Sequence, residues 1–272
     1  MKLVIGGSGR LGKALCAALG PHNTLAPARA VYENWWQPGM DATIEAFLTR
    51  APQPIDCIFI AAGIIDSRAS AADHERVNFR LPEQILRAAA RCHIRVVTLG
   101  TMMELISCGE PPSAYAASKR ALARQVQTLR QDALHIRINT VYGTVPPAPY
   151  MFAGLMLKAL VTHSPFLMSP GNQMREYHHI DDEVQAIIAL AASAQAGVIN
   201  LNHGAPITMA ALAHRTFEAL DALDLLRIGA LPAPTNERFD LEYVRPFLLN
   251  GLNFRDALTA MPSYMRECVS AS

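Results

Sequence analysis

A doubly wound α/β fold around a parallel sheet is predicted by three features of the sequence. A glycine-rich turn follows the first apolar run, later apolar runs are continuous rather than alternating, and these runs alternate with helical segments up to residue 141. Residues 2–12, Lys-Leu-Val-Ile-Gly-Gly-Ser-Gly-Arg-Leu-Gly, read as a buried strand, a tight turn and the start of a helix over 10–19, closed by Gly20-Pro21. Residues 24–26 form a short second strand. Asp41 caps a helix running to residue 50, which Pro52 and Pro54 end. Residues 57–62 are apolar throughout, the mark of a strand covered on both faces, and stop at Gly63. A long helix over 75–92, a strand over 94–99, a helix from Tyr115 to Arg130 and a strand over 135–141 complete the series, and this order predicts right-handed crossovers.

Beyond Tyr142-Gly143 the pattern changes. Pro146-Pro147-Ala148-Pro149 is a stiff connector, followed by helices over 150–161 and from Asp181-Asp182 to 194, a strand over 197–201, and two helical stretches flanking Pro232 and Pro234. The expected division is a dinucleotide-binding domain over 1–148 and a small C-terminal substrate lobe over 149–272, with residues 180–202 returning to the first domain.

Composition excludes several functions. A chain of 272 residues, 51 % hydrophobic, can bury a full core, and a net charge of +1 offers no basic stripe for nucleic acid. Cys16, Cys57, Cys92, Cys108 and Cys268 are scattered and lack zinc-site spacing, so no metal and a reducing cytoplasmic setting are expected. The first strand begins at Lys2, which leaves no room for a signal peptide, and no apolar run reaches the roughly 18 residues of a membrane span.

The turn fits two registers, Gly6-x-x-Gly9-x-x-Gly12 and Gly7-x-Gly9-x-x-Gly12. Both place backbone amides at a helix N-terminus, where a pyrophosphate binds. Gly6, Gly9, Arg10, Leu11 and Gly12 are therefore the expected cofactor contacts. About 20 residues on, where an NAD enzyme offers an acid to the ribose, the chain reads Ala26-Pro27-Ala28-Arg29. Arg29 suits a 2′-phosphate, as does Arg10, so NADP(H) is favoured over NAD(H). The alternatives are that Arg29 is an ordinary surface residue or that Glu33 serves NAD.

Tyr115 and Lys119 lie four positions apart, on one face of a helix. A phenol of ordinary pKa near 10 is a poor proton carrier at neutral pH, and a neighbouring ammonium corrects that. Thr101, just past the strand ending at Leu99, is placed to orient a carbonyl. The pair taken alone would read as two exposed side chains; the dinucleotide-binding pattern around it makes it a candidate catalytic pair.

With these motifs in place the chain resembles the extended short-chain dehydrogenase/reductase family, whose members include nucleotide-sugar epimerases, dehydratases and reductases on a Rossmann fold. Gly6-Gly7-Ser8-Gly9-Arg10-Leu11-Gly12 is similar to the family's glycine motif, Ala61-Ala62-Gly63 to its loop beside the adenosine and ribose, and Tyr115/Lys119 to its catalytic pair. Arg137-Ile138-Asn139-Thr140-Val141-Tyr142-Gly143 resembles the segment passing the nicotinamide. Arg175-Glu176-Tyr177-His178-His179-Ile180-Asp181-Asp182 resembles Arg-x-Tyr-x-His-Val-Asp-Asp, whose arginine holds a substrate diphosphate. An ion pair of Arg175 with Asp181 or Asp182 is the alternative. The resemblance implies cofactor contacts at Ala61, Ala62, Gly63, Tyr115, Lys119 and Tyr142, and substrate contacts at Thr101, Tyr115 and Arg175.

Departures narrow the reaction. Thr101 is followed by Met102-Met103, where sugar dehydratases carry Asp-Glu, and Met103 stands where reductases that also epimerise carry cysteine. Cys108 lies too far along to replace it. The expected activity is an NAD(P)H-dependent ketoreductase acting on a nucleoside-diphosphate keto-deoxy sugar, with Tyr115 giving the proton, and a homodimer paired through the helices over 75–92 and 115–130. The alternatives are a nucleotide-sugar 4-epimerase with tightly bound NAD and a non-catalytic NADP-binding regulator. His178 and His179 read as packed imidazoles at a helix start, Met102, Met103, Met151, Met156, Met168 and Met174 as core filling, and Trp35-Trp36 as hydrophobic cover. Asn78 either begins the helix leading under the active site or bonds locally.

Overall fold

The computed structural model describes residues 1–272 except Ser67, Cys108, Arg130, Gln131 and Asn236. The expectations for Cys108 and for the helix end at Arg130 lie outside the described residues. The chain divides into two compact units, Met1–Ile138 with Val184–Leu201, and Asn139–Glu183 with Asn202–Ser272.

The first unit is a doubly wound α/β sheet. Strands β1 (Lys2–Ile5), β2 (Thr24–Leu25), β3 (Cys57–Ile60), β4 (Arg95–Thr101) and β5 (Ala133–Ile138), with the strand Gly197–Asn200, form one six-stranded sheet. Its order is Gly197–Asn200, β5, β4, β3, β1, β2, and every pairing is parallel. The chain steps outward from β1 to β2, then crosses back to β3 on the other side of β1. The carboxyl end of β1 is therefore the switch point where ligands bind in such sheets.

Strand alternation explains the continuous apolar runs. Leu3, Ile5, Ile58, Ile60 and Val96 pack on one core cluster with the helices Asp41–Thr49, Leu81–Arg91 and Ala114–Thr128. Val4, Phe59 and Val97 point to the other face and are equally buried. Each such side chain contributes about 1.5–3 kcal/mol by leaving water.

Three elements differ from the sequence reading. β4 continues two residues past Leu99, so Thr101 is its last residue. The predicted strand over 135–141 is split at Asn139: β5 stays in the large sheet, whereas Thr140–Tyr142 pairs with Tyr177–His179 in the second unit. The Asn139 amide donates to Asn202 Oδ1 at 3.0 Å, and nothing in the alternating run over 135–141 announces that break. The long helix starts earlier, at Ala71, with the Ser70 hydroxyl accepting from Asp73 N–H. It widens to a π turn over Arg76–Arg80 and resumes at Leu81–Arg91, where Pro82 sits in a first turn that needs no proline N–H.

The second unit gathers the helices Phe152–Thr162, Met209–Ala219 and Ala257–Ser270 around Met156, Leu212, Phe217, Met261 and Met265, all fully buried. Short strands edge it: Phe166–Met168 pairs with Leu226–Ile228, and Met174–Arg175 with Ile207–Thr208. Met156 and Met168 fill core space, while Met103 is exposed. Among the described residues no helix is long and apolar enough to cross a membrane, and Cys16, Cys57 and Cys92 are free thiols.

Candidate active site

The glycines of the turn are there for different reasons. Gly6 has φ +90, and a methyl group there would be driven into the Ala61-Ala62 backbone, so this position needs glycine for both conformation and space. A methyl on Gly12 would meet the Gly6 carbonyl and Gly7 Cα, so Gly12 lets the helix close on the strand. One on Gly7 would reach Ala26 Cβ at 2.7 Å, a packing reason as well. Gly9 is different. Its backbone is extended (φ −73, ψ 168), and an added Cβ would touch only the Gly6 carbonyl at 3.3 Å. The conformation there is open to any residue, and the fold's demand for glycine rests on that one tight contact, weaker than at Gly6 or Gly12. The helix Arg10–Leu19 behind it has no side-chain cap and no acid in its first turn, so its leading amides and positive dipole end are available to an anion. The register Gly6-x-x-Gly9-x-x-Gly12 fits a pyrophosphate, with Arg10 and Leu11 in that first turn.

Ala61 and Ala62 follow β3, and both of their amides donate to the Ile5 carbonyl at 2.9 Å, which lays this loop beside the turn. Gly63 comes next. A methyl on it would lie 3.2 Å from Asn78 Oδ1 and 3.6 Å from Lys119 Nζ, so the loop passes directly over Lys119. Asn78 seals the same loop, accepting from Ile64 N–H at 2.8 Å and donating to the Ile64 carbonyl at 2.9 Å. It sits inside the π turn rather than beginning the helix. Arg29 is exposed at the start of the short helix Arg29–Tyr32 beyond β2, and Glu33, also exposed, ends that helix.

Tyr115, Lys119 and Thr101 come together. Ser113 caps the helix Ala114–Thr128, accepting from Ala116 N–H, and so fixes the turn that carries Tyr115. The Thr101 side chain reaches the phenol closely enough to act on its titration. Lys119, buried one turn on, donates to the Leu99 carbonyl at 2.8 Å. Burial pushes the phenol up to about 12, the Thr101 side chain opposes this, and the Glu104 charge adds to it. Burial also lowers Lys119 to about 8, with Glu104 working against the fall. At neutral pH the phenol keeps a proton to give and the lysine remains mostly an ammonium.

Sequence reasoning missed Glu104. Its carboxylate is fully buried and accepts from Thr101 N–H at 2.9 Å, from His135 Nε2 at 3.1 Å and from Arg137 Nε at 2.7 Å. The only signal was an acid in an apolar stretch, Met102-Met103-Glu104-Leu105-Ile106.

Tyr142 and Arg175 belong to the second unit. Tyr142 is a core residue, its ring edge-on to His179 at 5.4 Å and against Tyr264 at 5.5 Å. Arg175 pairs with Glu237 and donates to the Met174 carbonyl at 2.6 Å, so neither expected aspartate is its partner. Asp182 binds Arg255 instead. His178 is held between Glu183 (2.6 Å) and Glu176 (2.9 Å) and stacks on His203 at 3.4 Å, with Phe254 on the far side of that ring. The ligand atoms of His178, Glu183 and His203 lie within 4.8 Å of one another. Yet both His178 nitrogens are already bonded to carboxylates, and the parallel rings aim their in-plane lone pairs alongside one another rather than at one point. The cluster is built to hold protons. Burial opposes a charge on His178, the two glutamates outweigh it, and its pKa rises to about 9.

Solved structures share this fold. A UDP-N-acetylglucosamine 4-epimerase from Methanobrevibacter ruminantium M1, in complex with UDP-N-acetylmuramic acid, matches with a TM-score of 0.74 at 20 % identity, covering 99 % of this chain and 96 % of that one. A dTDP-glucose 4,6-dehydratase double mutant from Streptomyces venezuelae with NAD bound gives 0.75 at 19 %, covering 98 % and 96 %. A UDP-glucose 4-epimerase from Thermotoga maritima gives 0.75 at 15 %, covering 98 % of both chains. No curated protein matches the chain by sequence. The family model for the NAD dependent epimerase/dehydratase family matches residues 2–202, spanning the glycine turn, Tyr115, Lys119 and the Arg175 segment. The chain thus belongs to the NAD dependent epimerase/dehydratase family, enzymes of the extended short-chain dehydrogenase/reductase type.

Proposed function

We propose that the protein is an NADP(H)-dependent ketoreductase acting on a keto-deoxy sugar carried by a nucleoside diphosphate. The observation that carries this reading is the convergence of Thr101, the last residue of β4, with Tyr115 and with Lys119, which is buried and bonded to the Leu99 carbonyl. Thr101 orients the carbonyl oxygen, and Tyr115, protonated at neutral pH, donates to it as reduction proceeds. Lys119 holds positive charge where the phenolate forms. The nicotinamide, when bound, supplies the hydride. Met102 and Met103 carry no titratable group, so neither residue that follows Thr101 can move the proton of an elimination. The 2′-phosphate falls to Arg29, and the substrate diphosphate to Arg175, which would exchange Glu237 for it.

The test is NADPH consumption with UDP- and dTDP-linked 4-keto-6-deoxyglucose. Turnover that Tyr115→Phe lowers by about 10²–10⁴-fold, with the KM for NADPH little changed, supports the reading. Purified protein that retains NAD and interconverts UDP-sugars without consuming NADPH points to the epimerase instead, and biological activity intact in Tyr115→Phe points to the regulator.

A further inference from the structure

Glu104 reaches the reaction centre from behind. It lies three residues past Thr101, at the start of the short helix Met103–Ile106, and its side chain folds back over Gly100. A methyl group on Gly100 would collide with both Glu104 Oε1 and His135 Nε2, so glycine is what lets the carboxylate and imidazole meet across β4. Both oxygens are engaged: Oε1 accepts from Thr101 N–H and His135, and Oε2 from Arg137. The chain of donors is self-consistent. A carboxylate only accepts, so His135 Nε2 carries the hydrogen, and Nδ1 accepts from the Thr98 hydroxyl at 2.8 Å. Burial lowers His135, in keeping with a neutral ring. Glu104 therefore stays a carboxylate: burial would raise it, but the bonds from His135 and Arg137 prevail and hold it below its ordinary value. The backbone is pinned as well, since Arg120 donates to the Glu104 carbonyl at 2.6 and 2.9 Å.

We propose that Glu104 is a positioning residue for the reaction: it fixes Thr101 through the main-chain amide and supplies the buried counter-charge for the Lys119 ammonium. This rests on the reading of Tyr115, Lys119 and Thr101 given under Proposed function. The coupling is electrostatic and follows from placement: Lys119 Nζ bonds the Leu99 carbonyl, one residue before the Gly100 over which Glu104 Oε1 lies. In a site with little water, a lysine without a counter-ion loses its proton, and the phenolate then forms without a neighbouring cation. Glu104 holds the ammonium but also opposes the phenolate, so the phenol is kept as a loaded acid until the substrate oxygen takes its proton. Among the described residues, the titratable or charged groups around Lys119 are Tyr115 on its own helix, Glu104 on the Met103–Ile106 helix, His135 on β5 with Arg137 bonded to the same carboxylate, and His74 on the helix Ala71–Glu75, whose ring lies 6.2 Å from that of Tyr115 and which bonds Asn78. The neutral groups there are Thr101 and the Leu99 carbonyl on β4, and Asn78 under Gly63.

The chain has only Lys2, Lys13, Lys119 and Lys158 as lysines, so each can be followed by carbon-13 NMR of its Cε, with Lys119→Met assigning the signal. Lys119 is expected to titrate near 8 in the wild type and lower in Glu104→Gln. A site merely loosened and wetted by the substitution would move Lys119 the other way, toward the ordinary lysine value. An unchanged or raised titration therefore overturns the proposal. Should Glu104→Gln fail to fold, Glu104→Asp, which withdraws the same charge by one methylene, carries the test with the same sign. In the NADPH assay, kcat is expected to fall by about tenfold or more in Glu104→Gln while the KM for NADPH stays within about twofold. If no ketone is reduced even by the wild type, the ketoreductase reading falls, while the titration, which needs no substrate, still decides the role of Glu104.

Discussion

Gly9 and Gly12 look alike in sequence, and alanine at each should fail for opposite reasons. At Gly9 the backbone is extended, and the one close neighbour of an added methyl is the Gly6 carbonyl at 3.3 Å. Alanine there costs up to about 1 kcal/mol as a poorer helix cap and regains about 0.4–1 kcal/mol by restricting the unfolded chain, so stability should be nearly unchanged. On the proposed reading the methyl stands where the pyrophosphate approaches. Weakening one or two charge-assisted amide contacts, each worth about 1.5–3 kcal/mol, raises the Kd for the dinucleotide by at least about tenfold. At Gly12 the methyl would enter the space of the Gly6 carbonyl, and the helix must move off the strand. Overpacking of this kind costs about 1–3 kcal/mol, less about 1 kcal/mol for the better helix propensity of alanine. For a chain of this size that is a fall in Tm of a few degrees, about 2–4 °C per kcal/mol. Calorimetry gives the stability, and quenching of intrinsic fluorescence by NADPH gives the affinity. A Gly9→Ala protein that melts like the wild type and binds NADPH equally well would refute the assignment of that position to the pyrophosphate.

Arg29→Ala should weaken NADPH by about tenfold or more and leave NADH within about twofold, since only the former carries the phosphate that a guanidinium forks onto; equal losses for both cofactors would remove Arg29 from cofactor choice. In the second unit the two stacked imidazoles give opposite pH dependences. His178 is raised from 6.5 to about 9, so its stabilising contribution is full below about pH 6.5 and is lost as pH rises toward 9. His203 is depressed from 6.5 to about 2, largely by burial, so its contribution is present above 6.5 and is lost as pH falls. Urea unfolding should therefore show a stability maximum near pH 6.5, and His178→Leu with Glu183→Leu should flatten the alkaline side; an alkaline limb unchanged in that double variant would show that His178 is not its source.

Much of the first unit was legible because its signals are local. The glycine turn, Gly20-Pro21 and the uninterrupted run Cys57-Ile58-Phe59-Ile60 each impose their element whatever surrounds them. The reactive pair could be read because helix periodicity fixes which face two residues share. The hidden features depend on distant partners. Glu237, which engages Arg175, lies far along a proline-containing tail, and the break at Asn139 stems from an amide bond to Asn202 rather than from any change in local composition. Glu104 was hidden for a similar reason: a buried acid signals its importance through the groups that neutralise it, and those sit on the neighbouring strand.

The π turn at Arg76–Arg80 has a consequence for how this helix can change. A π turn carries one residue more than the α-helical spacing needs, and here the surplus aims Asn78 at both polar atoms of Ile64 and, at 3.3 Å, at the Ser118 hydroxyl. Losing any one residue between 76 and 80 would relax the helix to ordinary pitch and swing the turns from Leu81 onward by about a quarter of a revolution. Leu81, Ile85 and Leu86 would leave the sheet, or the amide would leave the loop. Single-residue deletions are thus barred from this stretch, while a conservative replacement of almost any of its side chains other than Asn78 is tolerated. The insertion acts as a ratchet tooth: acquired once, it cannot be given back without releasing either the core or the roof over the lysine.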